Sequence, residues 1–579
     1  MADGDCTIDA NDLPGMLDRR SFGKFAAALA VMASTAHSPS GASADESLEI
    51  TEAAVAEAER IAGLSFTPEE RKTLVGQLKS RIKNFEEIRA LNIPNSIPPA
   101  LHFNPAPAGF VGAPALDGQK GHSNAVEPAV WNGSRPSDPA DLAFLSAYQL
   151  ASLIRSGKLS PVELTEIYIH RLKTIGAKLN CIVTMLEESA LQEAASAESE
   201  IKAGRIRGPL HGITWGAKDL FATRGVRTTW GAKPFENQII DEDAAVVTRL
   251  REAGAILVAK LSLGELAQGD VWMNGKTRNP WNLERGSSGS SAGPAAATAA
   301  GLVGFAIGTE TLGSIVSPSS VCGVSGLRPT FGRVSRHGAM ALAWSMDKIG
   351  PMGRCVEDCA LAFAAIHGAD GRDPAAVTAS FHWPVAVDLS SLRVGYEKQA
   401  FDAAGNDDDK RADEAALDAL KSLGAKLAPI QLPDYPLGAI RTVLTVEAAA
   451  AFDELTRSNQ DDLLALQGNA GWPSIFRSNR FVPAVEYVQA QRARTMLMRD
   501  MAKVMENFDV FVAPARLSRS LTLTNLTGHP TVVVPHGFVG GMPRAICFVG
   551  HLYDDARLLA IARAYQESTN WHLKHPVIG

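Results

Sequence analysis

Three residues in this sequence have the types and positions that acyl-transfer chemistry requires: one lysine and two serines. Ser290 and Ser314 each follow a glycine, so each hydroxyl can be presented on a sharp backbone turn as a nucleophile. Lys218 ends a run of residues, 213–217, that has the pattern of a buried strand. Because burial disfavours the charged form of an amine, a lysine at that position is a candidate general base.

The serine-rich segment 285–329 allows two other interpretations. Its glycine and serine content is that of a flexible linker, but the alanine-rich run 295–300 and the apolar run 302–307 are typical of packed structure. The same segment also contains G-x-S-x-G, the nucleophile elbow of α/β-hydrolases, with Ser291 at its centre. That elbow needs a buried strand just before it, whereas residues 279–285 are polar and contain a proline, so this interpretation is disfavoured.

Several ordered stretches make the sequence resemble the amidase signature family, from about residue 145 to the C-terminus. The matching stretches are 208–219, 279–281, 290–301, 308–315 and 322–330. The resemblance implies that Ser314 is the nucleophile. It also implies that Ser290, the serine 24 residues before it, lies in a cis peptide and relays the proton to Lys218. Lys218 would then be the general base, and later the acid toward the leaving amine.

The resemblance also implies the remaining parts of the site. The backbone N–H groups of Thr311, Leu312 and Gly313 are expected to form the oxyanion hole, and Gly289 and Ser291 to contact the substrate. The implied reaction is hydrolysis of the C–N bond of a small-molecule carboxylic amide through a serine acyl-enzyme. Neither a metal nor a cofactor is implied.

Three residues near Ser314 depart from the family pattern. Glu310 stands where the family usually has aspartate, Leu312 where it has a second glycine, and Val316 where arginine is common. Leucine restricts the backbone at the expected oxyanion hole. Without the arginine, a charge that could brace the acidic residue is missing. These departures indicate a divergent subfamily.

Other functions stay open at this point. The glutaminase subunit of a tRNA amidotransferase looks similar and works only in a complex; its small helical partner subunit bears a faint likeness to residues 50–91. An esterase or carbamate hydrolase could use the same site, and Leu312 and Val316 also allow a binding protein without activity. The substrate pocket is expected near Trp230, 271–273 and 452–481.

Helical and strand patterns alternate through the second half of the chain. This alternation predicts an α/β fold with a mixed, mostly parallel central sheet covered by helices, which is the fold that the resemblance implies. Before it, a capping box at Thr67 starts a long helix, and a shorter helix is predicted over 52–62. Helical spacing of apolar residues also predicts helices over 161–175 and 437–458. We divide the chain into a leader (1–44), a helical extension (45–93), a proline- and glycine-rich connector (94–140) and a catalytic domain (141–579).

The N-terminus has the order of an export signal. Arg19 and Arg20 precede the short apolar run 25–33, and small residues at 42–44 resemble a cleavage site after Ala44. The pattern predicts twin-arginine export to the periplasm or the medium. The run is too short to span a bilayer, so no membrane anchor is expected after processing.

Composition excludes several classes of function. The chain has 579 residues, of which 46% are apolar, and its net charge of −7 is spread evenly, so no nucleic-acid-binding surface is expected. The six cysteines are scattered, which argues against a disulfide framework. A homodimer is one option for the oligomeric state.

Overall fold

The computed structural model describes residues 49–91, 93, 101, 126–403, 405–515 and 519–578. Residues 52–579 cluster as one compact unit. The predicted leader, 1–44, lies outside the described residues, as does most of the predicted connector. In the described part of the chain, no helix has both the length and the apolar character needed to cross a membrane.

The strands were numbered in chain order. They are β1 (Ile182–Met185), β2 (Thr214–Lys218), β3 (Ile256–Leu261), β4 (Val271–Trp272), β5 (Gly275–Lys276), β6 (Arg278–Asn279), β7 (Asn282–Gly286), β8 (Phe305–Glu310), β9 (Ser325–Arg328), β10 (Lys348–Gly353), β11 (Arg393–Tyr396), β12 (Lys426–Pro429), β13 (Val510–Pro514), β14 (Thr531–Val539) and β15 (Met542–Gly550).

The helices were numbered in the same way. They are α1 (Glu52–Ala62), α2 (Pro68–Arg89), α3 (Pro139–Leu142), α4 (Ala147–Arg155), α5 (Pro161–Arg171), α6 (Ala177–Leu179), α7 (Glu187–Lys202), α8 (Ala245–Glu252), α9 (Ala292–Ala299), α10 (Val316–Cys322), α11 (Val356–Ile366), α12 (Lys398–Asp402), α13 (Asp407–Ser422), α14 (Leu437–Ile440), α15 (Thr442–Ala451), α16 (Asp453–Arg457), α17 (Trp472–Asn479), α18 (Ala484–Met505), α19 (Arg519–Thr527) and α20 (Asp555–Thr569).

An 11-stranded mixed sheet forms the centre of the molecule, in the order β1-β3-β2-β8-β10-β9-β14-β15-β13-β11-β12. Strand β2 is parallel to both β3 and β8, and β11 is parallel to both β12 and β13. The other neighbours pair antiparallel. The predicted α/β fold with a mixed central sheet covered by helices is confirmed. The predicted parallel pairing is found in two blocks, β3-β2-β8 and β13-β11-β12, so that in the described part of the chain four of the ten neighbouring pairs are parallel and six are antiparallel.

Strand β2, which carries Lys218, and its neighbour β3 are buried along their whole length. Every residue of β2 and of β3 is buried, which fits their nearly continuous apolar sequences and their central place in the sheet. Helix α9 consists of small residues and is also fully buried, so it packs closely on β2, β8 and β10. Small side chains on α9 thus let the turn at its N-terminus approach the end of β2.

The N-terminal helix pair follows its sequence signals. Helix α1 has the predicted bounds, and α2 begins at Pro68 behind Thr67, whose side chain and Glu70 form the predicted capping box. Helix α2 packs on α14, α17 and α18 through its buried face. The predicted domain boundaries remain predictions, because the pair belongs to the same compact unit as the residues that follow.

Two predicted helices differ from the observed ones. The segment predicted as one helix over 161–175 is α-helical only to Arg171 and then forms a π-turn, Leu172–Gly176. The long helix predicted over 437–458 is divided into α14, α15 and α16, because Arg441 ends the first turn and Phe452 has a non-helical backbone (φ −115°, ψ 30°). Apolar spacing continues across these breaks, so the pattern does not reveal them.

Strand β10 packs so closely against β9 that one glycine is required. A Cβ added at Gly350 would lie 1.9 Å from the carbonyl oxygen of Leu327. We therefore expect Gly350→Ala to lower the free energy of unfolding by about 1–3 kcal/mol, since a backbone atom must move. Gly438→Ala is the matched control: no atom lies within 4 Å of the added Cβ, so this helical change should be neutral or slightly stabilising. Equilibrium urea unfolding measures both, and equal midpoints for the two variants would contradict this account of the sheet.

Candidate active site

Lys218 lies at the end of β2 with its side chain fully buried. Its Nζ donates to Ser290 Oγ (2.8 Å), Ser291 Oγ (3.1 Å) and Thr309 Oγ1 (2.8 Å). These partners are uncharged hydroxyls, and in the described part of the chain no carboxylate forms an ion pair with this amine. Burial lowers the pKa of Lys218 to about 7, although the negative charges of Asp347 and Glu310 favour its protonated form.

The neighbouring Asp219 does not neutralise Lys218. Its carboxylate forms a fully buried ion pair with Lys260 (2.9 Å) and accepts hydrogen bonds from the N–H and hydroxyl of Thr229. Sequence analysis missed Lys260, although a single lysine inside the apolar strand β3 is a signal for a buried partner. Because Lys260 pairs with Asp219, Lys218 is left among neutral groups.

The turn that carries Ser290 contains the cis peptide Gly289–Ser290, as the resemblance implied. Ser290 is 1% exposed, and its carbonyl accepts a hydrogen bond from the N–H of Gly264 (3.2 Å). A Cβ added at Gly289 would lie 1.8 Å from the carbonyl oxygen of Gly269, so only glycine fits there. Gly289 therefore lets the serine turn lie directly against the 264–270 loop.

Ser291 is fully buried and links its turn to β8. Its hydroxyl donates to the carbonyl of Thr309 (3.1 Å) and accepts from the N–H of the same residue (3.2 Å). A nucleophile elbow needs an exposed hydroxyl, so this environment argues against the α/β-hydrolase interpretation. The expected contact of Ser291 and Gly289 with substrate remains a prediction.

Ser314 follows the end of β8 and is 8% exposed, more than the other two candidate residues. The N–H of Ser291 donates to the carbonyl of Ser314 (3.2 Å), which joins the two serine turns through their backbones. The described structure thus brings Lys218 and Ser290 into contact. It shows no hydrogen bond from the hydroxyl of Ser314 to either of them.

Glu310, at the end of β8, fixes the backbone just after Ser314. Its carboxylate accepts hydrogen bonds from the N–H groups of Ile315 (2.8 Å) and Val316 (2.9 Å), and from Asn525 (2.8 Å). Arg328 forms a fully buried ion pair with it (2.7 Å). Burial alone would raise the pKa of Glu310, but Arg328, the N–H of Val316 and the positive charge of Lys348 lower it to about 2.

Arg328 corrects one expectation from the sequence. The valine at 316 was expected to leave the acidic residue without a bracing charge, and Arg328, on β9, supplies that charge. The guanidinium also donates to the hydroxyl of Thr524 and the carbonyl of His529. The stretch 322–330 contained this arginine, but neither its spacing nor its type indicated that it contacts Glu310.

The expected oxyanion turn, 311–313, is braced from the neighbouring loop. The hydroxyl of Thr311 donates to Asp347 (2.6 Å), whose carboxylate also accepts the N–H groups of Leu342 (2.8 Å) and Ala343 (3.0 Å). Gly313 has φ +85°, a conformation that favours glycine, and its carbonyl accepts the N–H of Ser317. Leu312 is accommodated because its side chain packs against the main hydrophobic core.

A cavity of about 330 Å³ lies away from the three candidate catalytic residues. Its wall includes Phe144, Trp281, Cys322, Arg354 and His572, and it does not include Lys218 or either candidate serine. His575 stacks on Phe144 with ring centroids 3.8 Å apart. The catalytic assignment therefore depends on side-chain contacts rather than on this cavity.

Comparisons with known proteins identify the family of the chain. Residues 163–559 match the family model described as Amidase. The chain is 36% identical over 466 residues to a subunit of the glutamyl-tRNA(Gln) amidotransferase of Roseiflexus sp. (strain RS-1), covering 72% of this chain and 95% of that protein. The corresponding subunit of Acinetobacter baumannii (strain AB0057) is 36% identical over 493 residues, covering 76% and 99%.

A solved structure is similar as well. Native peptide amidase from Stenotrophomonas maltophilia superimposes with a TM-score of 0.65 at 30% sequence identity, covering 73% of this chain and 97% of that one.

These relatives overturn the predicted export. Proteins that match about three quarters of the chain are named as subunits of an amidotransferase for glutamyl-tRNA(Gln), and charged tRNA is used in protein synthesis inside the cell. The prediction of a periplasmic or secreted enzyme is therefore wrong. Arg19, Arg20 and the apolar run after them lie outside the described residues. Paired arginines before a short alanine-rich run are a weak pattern, because composition alone can produce it.

The low pKa of Lys218 predicts how activity depends on pH. With a pKa of about 7, half of the amine is neutral at pH 7 and about a tenth at pH 6, since each pH unit below the pKa reduces the base form tenfold. We expect kcat/KM for an amide to rise from pH 5.5 through pH 7 and to level above pH 8. Initial rates in constant-ionic-strength buffers measure this profile. A profile that rises only above pH 9 would show that the lysine titrates as an ordinary exposed amine.

Proposed function

The chain belongs to the amidase signature family, and we propose that it hydrolyses a carboxylic amide by way of an acyl-enzyme on Ser314. Lys218 is the general base, and Ser290 carries the proton between them. The observation that carries the proposal is the 2.8 Å contact between Lys218 Nζ and Ser290 Oγ in a buried site, where none of the described carboxylates forms an ion pair with the amine.

The first step requires a neutral amine at Lys218. Removal of water from around the side chain favours that form. The neutral amine can accept the proton of Ser290 across their existing contact, and Ser290 in turn accepts the proton of Ser314. A rotation of the Ser314 hydroxyl toward Ser290 completes this path. The backbone hydrogen bond from the N–H of Ser291 to the carbonyl of Ser314 holds the two serine turns side by side, so that this rotation can bring the hydroxyls together.

Attack by Ser314 Oγ forms a C–O bond and moves the carbonyl electron pair onto oxygen. Backbone N–H groups of Thr311, Leu312 and Gly313 are the proposed donors to this oxyanion, and one such donor is worth on the order of 3 kcal/mol in the transition state. Support comes from the bracing of the turn by Asp347 and from the N–H groups that Glu310 binds beyond Ser314. A braced turn keeps its donors oriented without reorganisation.

Collapse of the tetrahedral intermediate breaks the C–N bond. The ammonium of Lys218 returns its proton through Ser290 to the departing nitrogen, which leaves as an amine or ammonia. Water then attacks the ester on Ser314 with Lys218 again as the base, and the acid is released. Esters and carbamates are possible alternative substrates of this chemistry, because acyl transfer does not depend on a nitrogen leaving group.

Replacement of Ser314 tests the assignment of the nucleophile. We expect Ser314→Ala to lose amide hydrolysis by about 10⁴-fold or more and to lose labelling by a fluorophosphonate, because the attacking oxygen is absent. Ser291→Ala serves as the control on the neighbouring turn and should still be labelled. Rates on a panel of amides, esters and carbamates, with mass spectrometry of the labelled peptide, give the answer. Labelling that survives in Ser314→Ala and disappears in Ser291→Ala would assign the nucleophile to Ser291.

A second candidate is a glutaminase-type subunit of an amidotransferase. It is favoured by the names of the relatives that cover 72% and 76% of this chain. In this role the amide is glutamine, the released ammonia passes to a partner protein, and hydrolysis depends on the assembled complex. The acyl-enzyme chemistry is the same in both candidates; the substrate and the need for a protein partner differ.

Glutamine separates the two candidates. If the chain is a stand-alone amidase, the purified protein should hydrolyse simple amides and show little glutaminase activity. An amidotransferase subunit should release ammonia from glutamine at a low rate alone and at least about tenfold faster with its partner subunits, since assembly completes such sites. Ammonia release by the purified chain, and by the chain captured with the proteins it copurifies with, measures this. Rapid hydrolysis of simple amides without any partner would reject the second candidate.

A further inference from the structure

Trp230, near the candidate site, has a backbone conformation that is unusual for a bulky residue. It has φ +52°, in the left-handed region that large side chains rarely adopt. Four hydrogen bonds hold the backbone there. The N–H groups of Thr229 and Trp230 donate to Asp219, the N–H of Leu266 donates to the carbonyl of Trp230, and the N–H of Met273 donates to the carbonyl of Gly231. Strain held by so many contacts is typical of functional positions.

These same contacts place the backbone of Trp230 between the end of β2, which carries Lys218, and the 264–270 loop, which contacts Ser290. Asp219, which accepts its N–H at 3.1 Å, directly follows Lys218. Leu266, which donates to its carbonyl at 3.0 Å, belongs to the loop in which Gly264 donates to the carbonyl of Ser290. The backbone of Trp230 is therefore one hydrogen bond from the residue after the proposed base and from the loop that holds the proposed relay.

The indole of Trp230 is the accessible end of an aromatic cluster. Its ring lies 4.5 Å from that of Phe235 and 6.2 Å from that of Phe452, between centroids, and Phe452 stacks on Phe476 at 5.5 Å. Phe452 and Phe476 are buried, whereas Trp230 and Phe235 remain partly exposed. Trp472, which stacks on Phe476, donates to the carbonyls of Glu265 and Leu266 and so ties the cluster to the same loop.

The exposed part of Trp230 is its ring rather than its N–H group. The indole N–H is buried and has no hydrogen-bond partner among the residues that the structure describes. The surface that this residue offers to a bound molecule is therefore apolar and aromatic, which suits another flat ring.

We propose that Trp230 is a specificity-determining residue that binds an aromatic group of the amide substrate, with Phe235 and Phe452 supporting the indole. The inference rests on the proposed amide hydrolysis at Ser314 and narrows it to aryl amides. The aromatic group can stand on the acyl side or on the amine side of the scissile bond. Three simple amides distinguish these cases: benzamide, acetanilide, and acetamide, which has no ring.

The test compares kcat/KM for these three amides in four proteins: wild type, Trp230→Ala, Trp230→Phe and Trp571→Ala. Trp571 is the matched control, since it is also partly exposed and packs against a phenylalanine, Phe538, at 6.1 Å. Rates are divided by the fraction of Ser314 that a fluorophosphonate labels, so that only folded, competent sites are compared.

We expect wild type to prefer benzamide or acetanilide over acetamide. Trp230→Ala should lower kcat/KM for the preferred aryl amide about tenfold or more, the size of effect that one pocket contact gives, and change acetamide by less than about threefold. Trp230→Phe should recover most of the loss because it keeps a ring, and Trp571→Ala should resemble wild type.

Two results would overturn the inference while leaving the proposed function intact. One is a wild type that hydrolyses acetamide as well as both aryl amides. The other is a Trp230→Ala protein that loses all three activities equally, because a purely structural role affects every substrate alike. If Trp230→Ala cannot be labelled, Trp230→Phe and Trp230→Leu take its place, and the ratio of kcat/KM for the aryl amide to kcat/KM for acetamide decides. Leucine removes the ring but keeps a large apolar side chain, whereas phenylalanine keeps the ring. A wild type that is not labelled and hydrolyses no amide would instead reject the proposed function itself.

Discussion

The structure depends on one buried amine, Lys218, with which no carboxylate of the described residues forms an ion pair. Its Nζ contacts the hydroxyls of Ser290, Ser291 and Thr309, and burial away from water lowers its pKa to about 7. An ion pair with the adjacent Asp219 would reverse this effect, and the pairing of Asp219 with Lys260 removes that possibility. The buried ion pair between Asp219 and Lys260, on the neighbouring strand β3, thus lets Lys218 remain neutral, as the proposed mechanism requires.

A second buried ion pair fixes the geometry on the other side of the site. Arg328 neutralises Glu310, and the carboxylate can then accept the N–H groups that follow Ser314 without being left as an isolated charge. The two pairs lie on either side of β2 in one sheet: Lys260 is on β3, which pairs with β2, and Glu310 is at the end of β8, which also pairs with β2. The sheet therefore sets the distance between the proposed base and the turn of the proposed nucleophile. The 264–270 loop contacts the Ser290 turn through Gly264 and contacts Trp230 through Leu266.

Much of the fold and part of the candidate site could be predicted because their signals are local. The capping box at Thr67, the small residues of α9 and the glycines before both serines are each visible as a short pattern of consecutive residues, even where their contacts are distant. The partners of Lys260 and Arg328 could not be predicted in this way. Asn525 reaches Glu310 across 215 residues and Thr309 reaches Lys218 across 91, and no periodicity records such contacts. The breaks at Arg441 and Phe452 were missed for the opposite reason, since apolar spacing continues across them.

The sequence by itself determined the family, the class of fold and the identity of the three candidate residues, because ordered motifs of fixed spacing encode them. Only the tertiary structure decided the state of those residues: which carboxylates are already paired, which hydroxyls face the amine, and which side chain stands at the open end of the aromatic cluster. The physical reason is that the pKa of a buried amine and the shape of a binding surface are set by atoms within a few ångströms. In this protein those atoms come from strands and loops far apart in the chain.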